Sequence, residues 1–218
     1  VIRQFTEAEF LFILTSARWT LLITVLALAL GGLFGFLVAI ARTSQLAPLR
    51  ALAAGWIGVV QGIPVLILLF LSYYGLALAG LDLPPLVAAS ISMALYASAY
   101  LGEIWRGSIQ SVPWQQWEAS AALALSRPQQ YRYVILPQAV KIVIPPTVGF
   151  VVQLVKNTSI VSIIGVVELV RAGNLVNNAT FQPFKVFGTV AAIYFAICWP
   201  ISLLARRLEG KLHAGRAG

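Results

Sequence analysis

The sequence predicts an all-α membrane protein, a single domain of five transmembrane helices over residues 1–218, and three observations lead there. Sixty per cent of the 218 residues are hydrophobic and only ten per cent are charged, against about a quarter charged in an ordinary soluble domain. A soluble chain of this length could not hide that much apolar surface. Apolar runs recur at bilayer-spanning length, and the basic residues gather on one side of them.

The first span is predicted at about 19–41, where 23 consecutive positions carry no charge, enough to cross the hydrocarbon at 1.5 Å per residue. It reads as a span and not as a cleavable signal peptide, and the start at Val1 leaves the true N-terminus open. Gly31, Gly32 and Gly35 give it a small-residue face suited to close helix packing. After a short loop with Pro48, a second span is expected at about 51–74, interrupted by Gln61-Gly62-Ile63-Pro64. That interruption fits a kink lining a path, and equally a helix bend with Gln61 bonded to a neighbour. Pro84-Pro85 open a third span, about 84–105, ending near Glu103 and Arg106, which are one helical turn apart and read as a structural pair. A polar insert follows, about 106–137. The fourth span is expected at about 138–160, with a break at Lys156-Asn157-Thr158-Ser159, and the fifth at about 186–204. Glu168 and Arg171, between them, repeat the spacing of a stabilising pair.

The stretches 42–50 and 106–141 and the C-terminal tail hold ten of the fifteen basic residues, while 76–83 holds none. The positive-inside rule makes the basic regions cytoplasmic, with the N-terminus outside and the C-terminus inside. The net charge of +8 therefore suits anionic lipid better than nucleic acid, because no aromatic residues interleave with it. One cysteine, Cys198, and one histidine, His213, exclude a disulfide framework and a zinc site of the usual kind.

Within the insert, residues 115–126 read as a helix. Pro113 interrupts the preceding span, and the segment is rich in Ala, Leu and Glu. An amphipathic helix lying on the bilayer is the plain alternative, but few bulky apolar residues are available to bury. The run Trp117-Glu118-Ala119-Ser120-Ala121-Ala122-Leu123-Ala124-Leu125-Ser126-Arg127, followed by Tyr133-Val134-Ile135-Leu136-Pro137-Gln138-Ala139, resembles the EAA loop of ATP-binding-cassette importer permeases, polar amino-acid branch. Ala99-Tyr100-Leu101-Gly102-Glu103-Ile104-Trp105-Arg106-Gly107, Lys156-Asn157-Thr158-Ser159 and Val167-Glu168-Leu169-Val170-Arg171-Ala172-Gly173 extend the likeness in family order over nearly the whole chain.

The resemblance implies that 117–127 is a cytoplasmic coupling helix docking on an ATPase subunit. It also implies two such ATPase subunits, a second like or identical permease, an extracytoplasmic binding protein and a bacterial inner-membrane location. Ala124 departs from the family glycine. It is tolerable in a helical backbone and costly at positive φ. A shallow amino-acid site from spans three and four is implied, with Gln61, Tyr96, Ser98, Phe150, Gln153, Lys156, Asn157 and Thr158 as candidates. Carboxylates often found there fall at Phe150 and Asn157, both neutral, which disfavours a cationic substrate. The break at Lys156 could expose a helix end to a zwitterion, or Lys156 could reach headgroups at the interface.

The chain has no Gly-x-x-x-x-Gly-Lys-Ser/Thr loop, so no cofactor is expected in it, and ATP and Mg are expected on the partner ATPase. A passive channel or ion-driven carrier would leave the polar insert without purpose. An intramembrane enzyme would need a nucleophile and base or metal ligands within the spans, and neither Cys198 nor His213 has such partners in the sequence.

Overall fold

A computed structural model describes residues 4–214, with side chains through residue 210, so the side chain of His213 lies outside the described ones. Helices joined by short turns make up the described chain, with no strand among the described residues. Helix α1, Glu7–Thr43, has 37 residues, about 55 Å at 1.5 Å per residue, far beyond a hydrocarbon core of about 30 Å. It begins twelve residues before the predicted span. Thr6 and Glu9 form a capping box there, the Glu9 carboxylate accepting from the Thr6 backbone N–H at 3.0 Å, which satisfies donors that a helix start leaves free.

Helix α2, Ala47–Gly62, starts on Pro48 in its first turn, and Pro64 separates it from α3, Val65–Leu78. The two axes meet at 101°. Proline at 64 has no N–H to give the preceding turn and disfavours helical backbone at Ile63. The chain therefore breaks there by far more than the kink that Gln61–Pro64 suggested. Pro84 and Pro85 open α4, Pro85–Gln110, and Pro113 precedes α5, Trp114–Ala122.

Helix α6 covers Arg127–Ile164. Ser126 caps it, with Gln129 completing a capping box. Residues Tyr131–Ile135 form a π turn in which the Leu136 N–H reaches Tyr131 O. Pro137, next in sequence, has no N–H and crowds the carbonyl of residue 133, which favours the wider turn. The expected break at Lys156–Ser159 is not a break. The α-helix tightens into a 3-10 helix over Thr158–Ile164 and ends at Gly165, whose φ is 93°. Helix α7, Leu169–Thr180, and α8, Pro183–Ala214, complete the chain.

Helices α1 and α4 meet along a seam of small residues. A Cβ at Gly31 would lie 2.6 Å from Ala94 O and 2.7 Å from Ala97 Cβ, and one at Gly35 would lie 2.9 Å from Ser98 O. Gly102 answers from the other side, where a Cβ would sit 2.9 Å from Val38 Cγ1. Around this seam Ile23, Leu69, Met93, Leu101, Leu154 and Val161 join α1, α3, α4 and α6 in the main core. A second cluster, Ile13, Leu169, Val176 and Val186, ties α1 to α7 and α8. The other face of α1 exposes Leu11, Leu14, Val25, Leu33 and Leu37, as a helix facing lipid would. Four helices are long and apolar enough to cross a membrane, and the bent α2–α3 pair makes a fifth if it is one span.

Candidate functional site

Two regions carry the residues singled out in the sequence. The first is α5 and the turn after it. Ile109, Val112, Ile135 and Ala139 form a small buried cluster beneath it, and Trp117 packs against them. The Trp117 ring meets Tyr131 edge-on at 5.1 Å, and the Gln138 side chain donates to Gln116 Oε1 at 3.2 Å. Ser120 is buried, its hydroxyl donating to Trp117 O at 2.9 Å. These contacts hold one face of the helix. Glu118, Ala119, Ala121, Ala122 and Leu123 lie exposed, and Leu123 is 75 % accessible. An apolar side chain so exposed, beside a carboxylate, suits contact with another surface.

The helix is shorter than 115–126. It stops at Ala122, and Ala124 takes the left-handed region with φ 57°. Of the two conditions set for Ala124, the costly one holds. The turn closes when Leu125 N–H reaches Ser120 O at 3.2 Å and the Gln130 amide donates to Leu125 O at 2.9 Å. Ser126 and Arg127 begin the next helix, and the Arg127 guanidinium lies 5.9 Å from the Trp117 ring centroid.

The second region lies between α4 and α6. Tyr96, Tyr100 and Phe150 form an aromatic stack, with centroids 4.4 Å apart for Tyr96–Tyr100, 5.9 Å for Tyr96–Phe150 and 5.7 Å for Tyr100–Phe150. Phe150 is 4 % accessible. The exposed Gln153 amide donates to the Tyr96 hydroxyl at 3.0 Å, and the Asn157 side chain lies within electrostatic reach of that hydroxyl. Lys156 is exposed one residue away. Tyr96, Phe150, Gln153 and Asn157 thus come together, while the Lys156 ammonium lies within electrostatic reach of Cys198 on α8.

The remaining candidates serve packing. Ser98 is fully buried, accepts from Trp56 Nε1 at 3.1 Å and donates to Leu95 O. Thr158 is fully buried and donates to Val155 O at 2.7 Å. Gln61, on α2, reaches Ala99 O of α4 at 3.5 Å, in keeping with a side chain bonded to a neighbouring helix. Tyr100 belongs to the stack but was not among the candidates. Its four-residue offset from Tyr96 places both rings on one helix face, a signal that was available.

Arg106 grips Glu103 with two nitrogens, Nε donating to Oε2 at 2.8 Å. Glu168 and Arg171 form no such pair. Glu168 is fully buried at the start of α7, where Oε2 accepts from the Val170 N–H at 3.0 Å and Oε1 from the Arg171 N–H at 2.9 Å. The Tyr194 hydroxyl donates to Oε2 at 3.1 Å. Burial pushes this carboxyl above its ordinary value, against the opposing pull of these hydrogen bonds. Its role is to cap α7 and fasten it to α8.

Residues 31–214 match the family described as binding-protein-dependent transport system inner membrane component. A probable amino-acid ABC transporter permease protein of Bacillus subtilis (strain 168) is 34% identical over 203 residues, 93% of this chain and 90% of that protein. A probable glutamine ABC transporter permease protein of the same organism is 36% identical over 193 residues, 88% of this chain and 89% of its own length. A solved structure described as an amino acid ABC transporter with histidines superposes with a TM-score of 0.86 at 33% identity, covering 92% of this chain and 94% of that one. With its helical spans and its transport-named relatives, the chain belongs to the inner-membrane permeases of ATP-binding-cassette importers and is a non-enzymatic membrane subunit.

Proposed function

We propose that the chain translocates polar amino acids, neutral or acidic in preference to basic, delivered by an extracytoplasmic binding protein. The observation that carries this reading is the neutral aromatic site between α4 and α6. The Tyr96–Tyr100–Phe150 stack offers ring faces, Gln153 and Asn157 offer amides, and Tyr96 offers a hydroxyl. A lysine or arginine side chain would enter without a carboxylate to meet it, a costly desolvation. An amide could be paired throughout. The glutamine-named relative agrees with this reading, while the solved transporter described with histidines marks the contrary case.

By the positive-inside rule, the basic segments 42–50 and 106–141 support a cytoplasmic α5 and an outside N-terminus. There the exposed face of α5, from Glu118 to Leu123, docks on an ATPase subunit that holds the ATP and Mg. The assembly has two such subunits, and a second like or identical permease completes the path. ATP binding closes the ATPases, the docked helices follow, and the permease pair shifts between outward and inward access.

The test is substrate-stimulated ATP hydrolysis by the reconstituted complex with its binding protein, over a panel of amino acids. Glutamine, glutamate or cystine is expected to stimulate. Stimulation by arginine or lysine alone overturns the charge argument.

A further inference from the structure

Where the end of α1 meets the start of α6, beside α5, lies a cavity of about 420 Å³. Arg42, Arg50 and Arg127 all line it, with Ser44, Trp117 and Tyr131, and no carboxylate is among the lining residues. Three guanidiniums around one space repel one another unless an anion joins them. Glu103 is within electrostatic reach of Arg42, but both its oxygens are engaged by Arg106. The Arg42 Nε is buried with no hydrogen-bond partner. Arg50 is folded over so that one terminal nitrogen donates to Ser44 O at 3.2 Å, leaving further N–H groups on the same fork. The walls are joined across the cavity, because the Tyr131 hydroxyl donates to Thr43 O at 3.3 Å.

A second cavity of about 380 Å³ adjoins the first and shares Thr43, Ser44, Gln45, Arg127 and Tyr131 with it. Its own walls are apolar, namely Ile40, Pro128 and Leu136. A basic space thus adjoins one with an apolar flank of Ile40, Pro128 and Leu136, at the end of a membrane span.

We propose that these paired cavities bind an anionic phospholipid of the cytoplasmic leaflet. The phosphate lies among Arg42, Arg50 and Arg127, and an acyl chain runs along Ile40, Pro128 and Leu136. Guanidiniums match phosphate geometry with paired N–H groups, and basic pockets between spans on the cytoplasmic side suit lipid headgroups. A free phosphate compound would satisfy the arginines but would leave the apolar cavity unused. A lipid here touches α1, the loop to α2, α5 and α6 together, and so braces the seat of α5. The proposal rests on the membrane placement above and is independent of the substrate class.

The test is native mass spectrometry of the full transporter complex, taken from membranes holding phosphatidylglycerol and phosphatidylethanolamine in known ratio. Preferential retention of phosphatidylglycerol is expected. Arg42→Gln with Arg50→Gln should lower that preference by about tenfold or more, while Arg206→Gln with Arg207→Gln, on the same side of the membrane, should not. If the glutamine pair fails to assemble, Arg42→Lys with Arg50→Lys keeps the charge but loses the paired donors, and a partial loss is expected.

Equal retention of both lipids by the wild-type complex overturns the proposal, as does equal loss in the control pair or unaltered preference in the lysine pair. Displacement by inorganic phosphate or glycerol 3-phosphate as effective as by short-chain phosphatidylglycerol makes the ligand a soluble phosphate and overturns the lipid. Loss of the ATPase subunits with lipid preference intact makes the arginines a protein contact instead. Lost lipid preference with intact substrate-stimulated hydrolysis in the wild-type complex counts against this site alone. The reverse result counts against the transport reading alone.

Discussion

Ala124 is one of two non-glycine residues with positive φ among the described ones, the other being Phe181. A Cβ in left-handed backbone costs about 1–2 kcal/mol, part of which glycine returns as unfolded-chain entropy. Ala124→Gly should therefore stabilise the turn after α5 by up to about 1 kcal/mol. Slower hydrogen exchange at Leu125 and Gln130 in the complex would show it, and faster exchange would refute it. The sequence posed the choice at Ala124 but could not make it, because alanine is at home in the helix that precedes the turn. Glu168 was misread for a similar reason. A spacing of three suggests an ion pair on a helix face, but this glutamate stands at the helix start, where backbone N–H groups claim it first. Its pH dependence follows from the raised carboxyl value. The folded state binds the proton more readily than the unfolded one, so stability is highest at low pH and falls as pH rises from about 4.5 through the folded value. Glu168→Gln, which cannot ionise, should lack that decline. In melts of the complex between about pH 4 and about pH 8, the wild-type advantage over the variant should shrink as pH rises. A constant advantage would sink the claim.

At the scale of elements, the seam between α1 and α4 was legible as a glycine-rich face, because closeness needs small side chains and little else supplies it. Which glycines face the neighbour was not legible. Gly31 and Gly35 do, whereas a Cβ at Gly32 would meet nothing nearer than 3.8 Å. Gly31→Val should cost several kcal/mol, since its Cβ would strike the backbone oxygen of Ala94, which cannot turn aside. Gly32→Ala should be close to neutral. Thermal unfolding of the two variants in detergent checks the pair, and similar losses in both would remove the seam as the cause. The early start of α1 was hidden by Glu7, Glu9 and Arg18, whose charges end an apolar window without ending a helix. The bend after Gly62 announced itself through Pro64, but an angle of 101° depends on where Leu68 and Leu69 find their core. In the same way, Lys156–Ser159 looked like a break because its residues are polar. Helical backbone runs through it because Thr158 returns its hydroxyl to Val155 O and the termination is left to Gly165.

At the scale of the whole molecule, the proposed sidedness is open to direct measurement. Single cysteines at the exposed positions Gln45 and Gln116, in a Cys198→Ala background, should react only with reagents supplied from the cytoplasm. Cysteines at Asp82 and Asn178 should react only from outside. Labelling of positions 82 and 116 from the same side would break the arrangement, and α5 would then have no route to a cytoplasmic ATPase. The family and the helical class were readable from motif order and composition because both are properties of the sequence as a string. The aromatic stack was not, since it needs Phe150 to meet the rings of Tyr96 and Tyr100 from a distant part of the chain. The glycine seam has a mechanical consequence as well. With backbone set against backbone at Gly31 and Gly35, the seam leaves no room there for a side chain to switch rotamer, so α1 and α4 behave as one stiff strut. Residues 111–113 are all that separate that strut from α5. In the proposed cycle, a thrust applied to α5 would be delivered at the strut's foot almost without slack, and the compliance that alternating access demands would fall to joints elsewhere, at the elbow between α2 and α3 and at the left-handed turn of Gly165.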